Sequence, residues 1–186
     1  MSKATPQEEI RQLLADCQAE KRKAQHKFYQ LFYGTAMAIC MRYAKDREEA
    51  EDMLNEGFLK VFNNLKQYQD TGSFEGWFKK VIVNAAIDYQ RRYKTLIPTT
   101  PFDELPEINN RRTIENEAIG KMSADEILAL IQKLPPTTRS VFNLYVFEEY
   151  PHAEIAKMLD MKEGTSHWHL NFARTKLKEM IQNRNC

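Results

Sequence analysis

Apolar residues recur at helical spacing along almost the whole chain, and a single long segment interrupts them. From Phe28 they fall at Leu31, Phe32, Ala36, Ile39 and Tyr43, so one stripe faces a core. Asp46 reads as a helix N-cap, with Glu49 three residues later in capping-box position. The next helix carries Ala50, Met53, Leu54, Phe58, Val61, Phe62 and Leu65 on one side. A loop from Lys66 to Ser73, holding Gly72, leads to a third helix from about Phe74 to Tyr93. Its inner side holds Trp77, Phe78, Val81, Ile82, Ala85 and Tyr89. The interruption runs from Lys94 to about Met122, with Pro98, Pro101 and Pro106 and weak periodicity, which reads as a linker. Ser123 with Glu126 then gives a second capping box. Helices resume, with breaks at Leu134-Pro135-Pro136, Tyr150-Pro151 and Asp160 to Gly164. Strand alternation is nowhere convincing. The expected fold is all-α, with two small helical domains joined by a flexible linker. Its boundaries are an extension over 1–24, a domain over 25–94, the linker over 95–122 and a helix-turn-helix domain over 123–186. The extension has no reading beyond a surface helix around Glu8 to Ala19.

Composition removes several function classes. No apolar run approaches the roughly 18–20 residues that span a bilayer. Met1 to Lys23 is polar and lacks an apolar signal core. Cys17, Cys40 and Cys186 form neither a disulfide framework nor a zinc pattern, which reads as reduced thiols in a cytoplasm. There are six glycines and no GxGxxG, Walker loop, GxSxG or HExxH, so an enzyme, a cofactor or a resident metal is not expected. The 26 acids nearly balance 27 Lys plus Arg, for a net charge of +1. Spread evenly, that balance argues against nucleic acid, because neutralising phosphates needs surplus cations.

The charge is not spread evenly. Between Asp46 and Glu56 lie six acids and Arg47, a local net of −5. Between Lys79 and Lys94 lie Lys79, Lys80, Arg91, Arg92 and Lys94 against Asp88, a local net of +4. A charge run is usually a solvated face. Opposite runs on adjacent helices suggest two partners, one a basic protein surface and one a phosphate backbone.

His152 to Arg174 reads as helix-turn-helix. Ile155, Ala156 and Leu159 face inward on the first helix, Asp160 to Gly164 forms the turn, and Thr165 is placed to cap the second helix. That helix turns Leu170, Ala173, Leu177 and Ser166 inward, and Trp168 and Phe172 outward. An outward aromatic pair suits thymine methyls in a major groove, or else a neighbouring helix or partner protein. His167, His169 and Asn171 flank the pair, and Arg174, Lys176 and Lys178 reach for phosphates. His167 and His169 diverge by roughly 200° and cannot chelate one ion.

The run from Glu49 to Phe62, EAEDMLNEGFLKVF, resembles the core-polymerase-binding helix of bacterial sigma factors. Ser73 to Asp88, followed by Arg91-Arg92, is similar to their promoter-melting helix. Leu134-Pro-Pro, Arg139 to Phe142, Glu154 to Leu159, Glu163-Gly-Thr and Ala173-Arg resemble their C-terminal domain. In this order and length the set resembles the extracytoplasmic-function group of the sigma-70 family, over about Gln25 to Ile181. The resemblance implies a factor that binds core RNA polymerase, reads a minus-35 element as duplex and a minus-10 element as single strand, and helps melt the promoter. It assigns core binding to Asp46, Glu49, Asp52, Asn55 and Glu56. It assigns the minus-10 strand to Tyr68, Asp70, Ser73, Lys80, Asn84, Asp88, Arg91 and Arg92. It assigns the minus-35 duplex to Thr165, Ser166, His167, Trp168, His169, Asn171, Arg174 and Lys176. Trp77 has two readings, core from its spacing with Val81 and Ile82, or stacking at the melted fork. The resemblance also implies an inhibitory anti-sigma partner, and the lack of a long apolar run implies no membrane insertion.

Three positions depart from the family pattern. Asp160 stands for the usual glycine of the turn, Ser166 for an aliphatic residue, and His167-Trp168-His169 for a smaller, more basic run. The alternative reading is a helix-turn-helix regulator that is not a polymerase subunit. It accounts for the C-terminal half but not for the two opposed charge runs.

Overall fold

A computed structural model describes residues 6–68, 72–94 and 122–183. Asp70, Cys186 and the linker expected over 95–122, apart from Met122, lie outside the described residues. Among the described residues there are eight helices and no strand. They are α1 (Pro6–Gln18), α2 (Arg22–Tyr43), α3 (Arg47–Leu65), α4 (Phe74–Lys94), α5 (Ala124–Gln132), α6 (Pro136–Val146), α7 (His152–Leu159) and α8 (Glu163–Gln182). The all-α class expected from periodicity is what the chain adopts. Contacts divide it into two compact units, Met1–Cys40 with Arg47–Ala86, and Met41–Asp46 with Ile87–Cys186. The division falls within α2 and α4 rather than after α4.

The first unit is built on aromatic rings. Phe28 is fully buried, with ring centroids of Phe32, Phe58, Phe62, Phe74 and Phe78 between 4.6 and 6.3 Å away. Most pairs are tilted or edge-on, which adds about 0.5–1.5 kcal/mol each beyond simple area burial. The stripes read for α2, α3 and α4 supply these rings, except Phe74, which starts α4. Gly57 lets α3 and α4 approach closely, since a Cβ there would lie 2.8 Å from Ile82 Cδ1.

Two expectations for this unit change. Leu31 is 56% exposed, not inward. It sits roughly 110° around α2 from the centre of the buried stripe, beyond what the neighbouring helices cover. The N-terminal segment is not a mere surface helix either. α1 buries Leu13, Leu14 and Cys17 and packs on α3, so it belongs to the core of the unit.

In the second unit the end of α2 is capped by side chains. Gln132 donates to Met41 O, Asn143 to Arg42 O, Gln90 to Tyr43 O and Arg139 to Ala44 O. A helix C-terminus leaves such carbonyls without intrahelical partners, so buried Arg139 and Asn143 have a structural use. The Ser123 capping box forms, with Glu126 N–H donating to Ser123 Oγ at 3.3 Å and Ser123 N–H to the Glu126 carboxylate at 2.9 Å.

The helix-turn-helix packs α8 across α6 and α7, with Val141, Leu144, Ile155, Ala156, Leu170 and Ala173 buried. Asp160 ends α7 at φ 51° and ψ 57°. Asp tolerates this left-handed conformation at less cost than most residues, so the turn keeps its shape without glycine. The expected Thr165 cap is not found. The N-cap of α8 is Lys162, without a side-chain cap, and Thr165 already lies inside the first turn.

Candidate protein and nucleic-acid interfaces

On α3 the acidic run forms one outward stripe. Asp52 and Asn55 are exposed, Glu56 is half-buried, and Leu59 continues the stripe at i, i+3, i+4 and i+7. Leu59 is 63% exposed. An apolar side chain at the end of an acidic stripe, held outward on a rigid helix, suits a helical partner surface with cationic and apolar groups. Asp46 is exposed just before α3, and Glu49 is half-buried in its first turn. The sequence reading passed over Leu59. The available signal was its position outside the Met53, Leu54, Phe58 and Val61 stripe.

The stem of the Lys66–Ser73 loop is an aromatic platform. The Tyr68 ring lies 5.3 Å from Phe74 and 5.1 Å from Trp77, and its hydroxyl donates to Gly72 O at 3.2 Å. Trp77 is half-buried, so it is a rim residue rather than a core one. Ser73 Oγ accepts from Gly76 N–H at 3.4 Å and so caps α4. Along α4, Lys79, Lys80, Asn84, Arg91 and Arg92 are exposed and Asp88 is half-buried. Lys80 to Arg91 spans roughly 16 Å of helix, a basic track with one amide in its middle. The Arg92 guanidinium sits over the Tyr89 ring at 5.9 Å.

On α8 the residues divide by face. Trp168, Asn171 and Phe172 occupy the side away from the buried stripe, and the two rings stack with centroids 5.0 Å apart and planes at 13°. His169 turns toward α6, where its Nδ1 lies 2.9 Å from Thr138 Oγ1. His167 turns toward α7, its ring 3.7 Å from that of His152. The two histidines therefore brace opposite flanks of the helix. Arg174 is exposed, over the Tyr145 ring at 5.8 Å, and Lys176 pairs with Glu179 at 3.0 Å.

Burial does not fit Ser166 to the DNA contact expected of it. It is 0% exposed, and its Oγ lies 2.8 Å from His152 Nδ1. The aliphatic residue expected at this inward position is replaced by a hydroxyl because the ring it meets is polar. Burial, and then the neighbouring His167, hold the His152 pKa below its usual value.

Comparison with known proteins follows the same division. The family description "Sigma-70 region 2" matches residues 28–95, and "Sigma-70, region 4" matches residues 124–177. The chain is 29% identical over 147 residues to the ECF RNA polymerase sigma factor SigE of Mycolicibacterium smegmatis, covering 77% of this chain and 56% of that one. It is 25% identical over 154 residues to SigM of Bacillus subtilis, covering 83% and 93% respectively. It is 24% identical over 184 residues to the RNA polymerase sigma-H factor of Pseudomonas aeruginosa, covering 95% of each. Its fold is similar to that of the sigma factor RpoE of Bartonella quintana, solved with the anti-sigma factor NepR, with a TM-score of 0.51 at 14% identity over 84% of this chain and 96% of that one. Two family regions in this order place the chain in the sigma-70 family: it is a sigma factor of the extracytoplasmic-function group, a transcription initiation factor and not an enzyme.

Proposed function

We propose that the chain joins core RNA polymerase through the outward stripe of α3, captures the minus-10 element as single strand on the Tyr68 platform and α4, and reads the minus-35 duplex with α8. The observation that carries this is the α3 stripe, Asp52, Asn55 and Glu56 running to an exposed Leu59, lying one loop away from the basic track of α4. Asp52, Asn55, Glu56 and Leu59 meet the polymerase, with Asp46 and Glu49 at the edge. Unpairing a base costs a few kcal/mol, which the bound strand repays, so melting needs no ATP. Asn84 offers a donor and an acceptor to a base edge, and Lys80, Arg91 and Arg92 hold the backbone. On α8, Trp168 and Asn171 face the bases, with Arg174 and Lys176 near phosphates.

A net charge of +1 supports weak binding of promoter DNA by the free chain. Polymerase supplies the remaining affinity. The chain works in the cytoplasm, beside its polymerase. Among the described residues, no helix is long and apolar enough to cross a membrane. An inhibitory protein partner, as in the solved RpoE–NepR complex, is part of the proposal.

The test is reconstitution with core polymerase from the source organism and mapping of transcript starts across its own promoters. Initiation at a defined promoter set, dependent on the chain, is the expected result. Absence of any specific start across that library overturns the reading.

A further inference from the structure

The C-terminus of α1 meets the beginning of the minus-10 loop. Gln18 Nε2 donates to Leu65 O at 3.0 Å. Leu65 is the last residue of α3, and its carbonyl also accepts from Tyr68 N–H at 3.2 Å. Tyr68 in turn carries the ring that meets Phe74 edge-on and lies tilted against Trp77. A terminal helix carbonyl has no intrahelical donor, so its geometry depends on what is brought to it. Here the donor comes from a helix 47 residues earlier. A left-handed Glu20, at φ 58°, then turns the chain into α2 and sets its carboxylate 2.7 Å from Lys66 Nζ. That ion pair is exposed on both sides and contributes little by itself. The amide contact is part-buried and directional, and it is the stronger constraint.

We propose that Gln18 is a positioning residue for minus-10 capture. Its amide holds the Leu65 carbonyl, and through it the Tyr68–Trp77 platform, in the geometry that receives an unpaired base. This rests on the proposed role of the loop. It also gives α1, which lies outside both family matches, a part in promoter opening. Gln18 touches no DNA, and its effect passes entirely through the end of α3.

The experiment uses the full chain with core polymerase on a promoter identified by start mapping. Opening is followed by a fluorescent base in the melted region. Two variants are compared with the parent, Gln18→Ala, which removes the donor, and Gln18→Lys, which restores a donor of similar reach. A set of templates carries single abasic sites through the non-template strand of the minus-10 element. Gln18→Ala should open the intact promoter about tenfold more slowly, the rate equivalent of one part-buried hydrogen bond. Gln18→Lys should recover most of that loss. Both should assemble with polymerase as the parent does. On the abasic template that slows the parent most, Gln18→Ala should add no further loss, because the base it helps to position is gone. Equal loss on intact and abasic templates, or no recovery with Gln18→Lys, overturns the positioning role. Parent opening that is indifferent to every abasic site overturns the loop reading itself, whatever the variants do.

Discussion

Removing the Ser166 hydroxyl is the sharpest probe of how α8 is held. Ser166 is 0% exposed and His152 is 9% exposed, and their side chains meet at 2.8 Å. The His152 ring also packs against Tyr145 at 4.7 Å and His167 at 3.7 Å. Ser166→Ala leaves Nδ1 without its partner where little water reaches. An orphaned buried polar group costs about 1–2 kcal/mol, which lowers the melting temperature of a unit this size by roughly 5–10 °C. Trp168 fluorescence in a Trp77→Phe background reads α8 alone. Pairing Ser166→Val with His152→Leu should recover most of the loss, because both polar partners are then gone.

The same site sets a pH dependence. Burial lowers the folded pKa of His152 below 6.5, with His167 and Arg174 pushing the same way and Glu163 opposing. The folded chain thus binds this proton more weakly than the unfolded chain. The stability contributed by neutral His152 is complete above about pH 6.5 and is lost as pH falls through that value toward the lower folded pKa. The melting temperature should fall between pH 7.5 and 5.5, less steeply in His152→Leu. An unchanged melting temperature in Ser166→Ala, together with an unaltered slope in His152→Leu, would refute the account.

Other outcomes follow from single side chains. Leu59→Ala should weaken polymerase binding roughly 5- to 30-fold, for about 1–2 kcal/mol of apolar contact, and leave melting unchanged. A lowered melting temperature with unaltered affinity would place Leu59 in folding instead. Asn84→Ala should impair promoter opening more than assembly with polymerase, and equal loss of both contradicts its assigned contact with a base. Arg174→Ala should weaken promoter binding about uniformly across sequences, as phosphate contacts do, whereas a sequence-selective loss moves Arg174 into base readout. Burial pushes the Cys17 thiol up to about 11 and the Cys40 thiol up to about 12. Both should resist iodoacetamide at pH 8 in the native chain, and fast labelling of either shows that its burial is wrong.

Much of the fold was legible because helices write their packing into the chain at a fixed period. Phe28, Met53, Leu54, Phe58, Phe78 and Ile82 were read as inward and are buried. The Ser123 capping box and the left-handed Asp160 were also legible, since each depends on residues within one turn. Opposite charge on α3 and α4 was visible for the same reason. Linear runs of charge need no tertiary contact to define them.

Periodicity names a face but does not say what covers it. Leu31 and Leu59 are as apolar as their buried neighbours, and only the placement of the other helices leaves them exposed. Ser166 was read correctly as inward, yet its partner His152 lies 14 residues away on another helix, so the value of the hydroxyl was invisible. Gln18 and Leu65 are 47 apart in the chain. By itself the sequence determined helix positions, the order of the two family regions and the segregation of charge, all of which are local properties. Tertiary structure decided which polar groups are shared between helices and which apolar ones are left over. Those outcomes depend on distances between segments that no local period encodes.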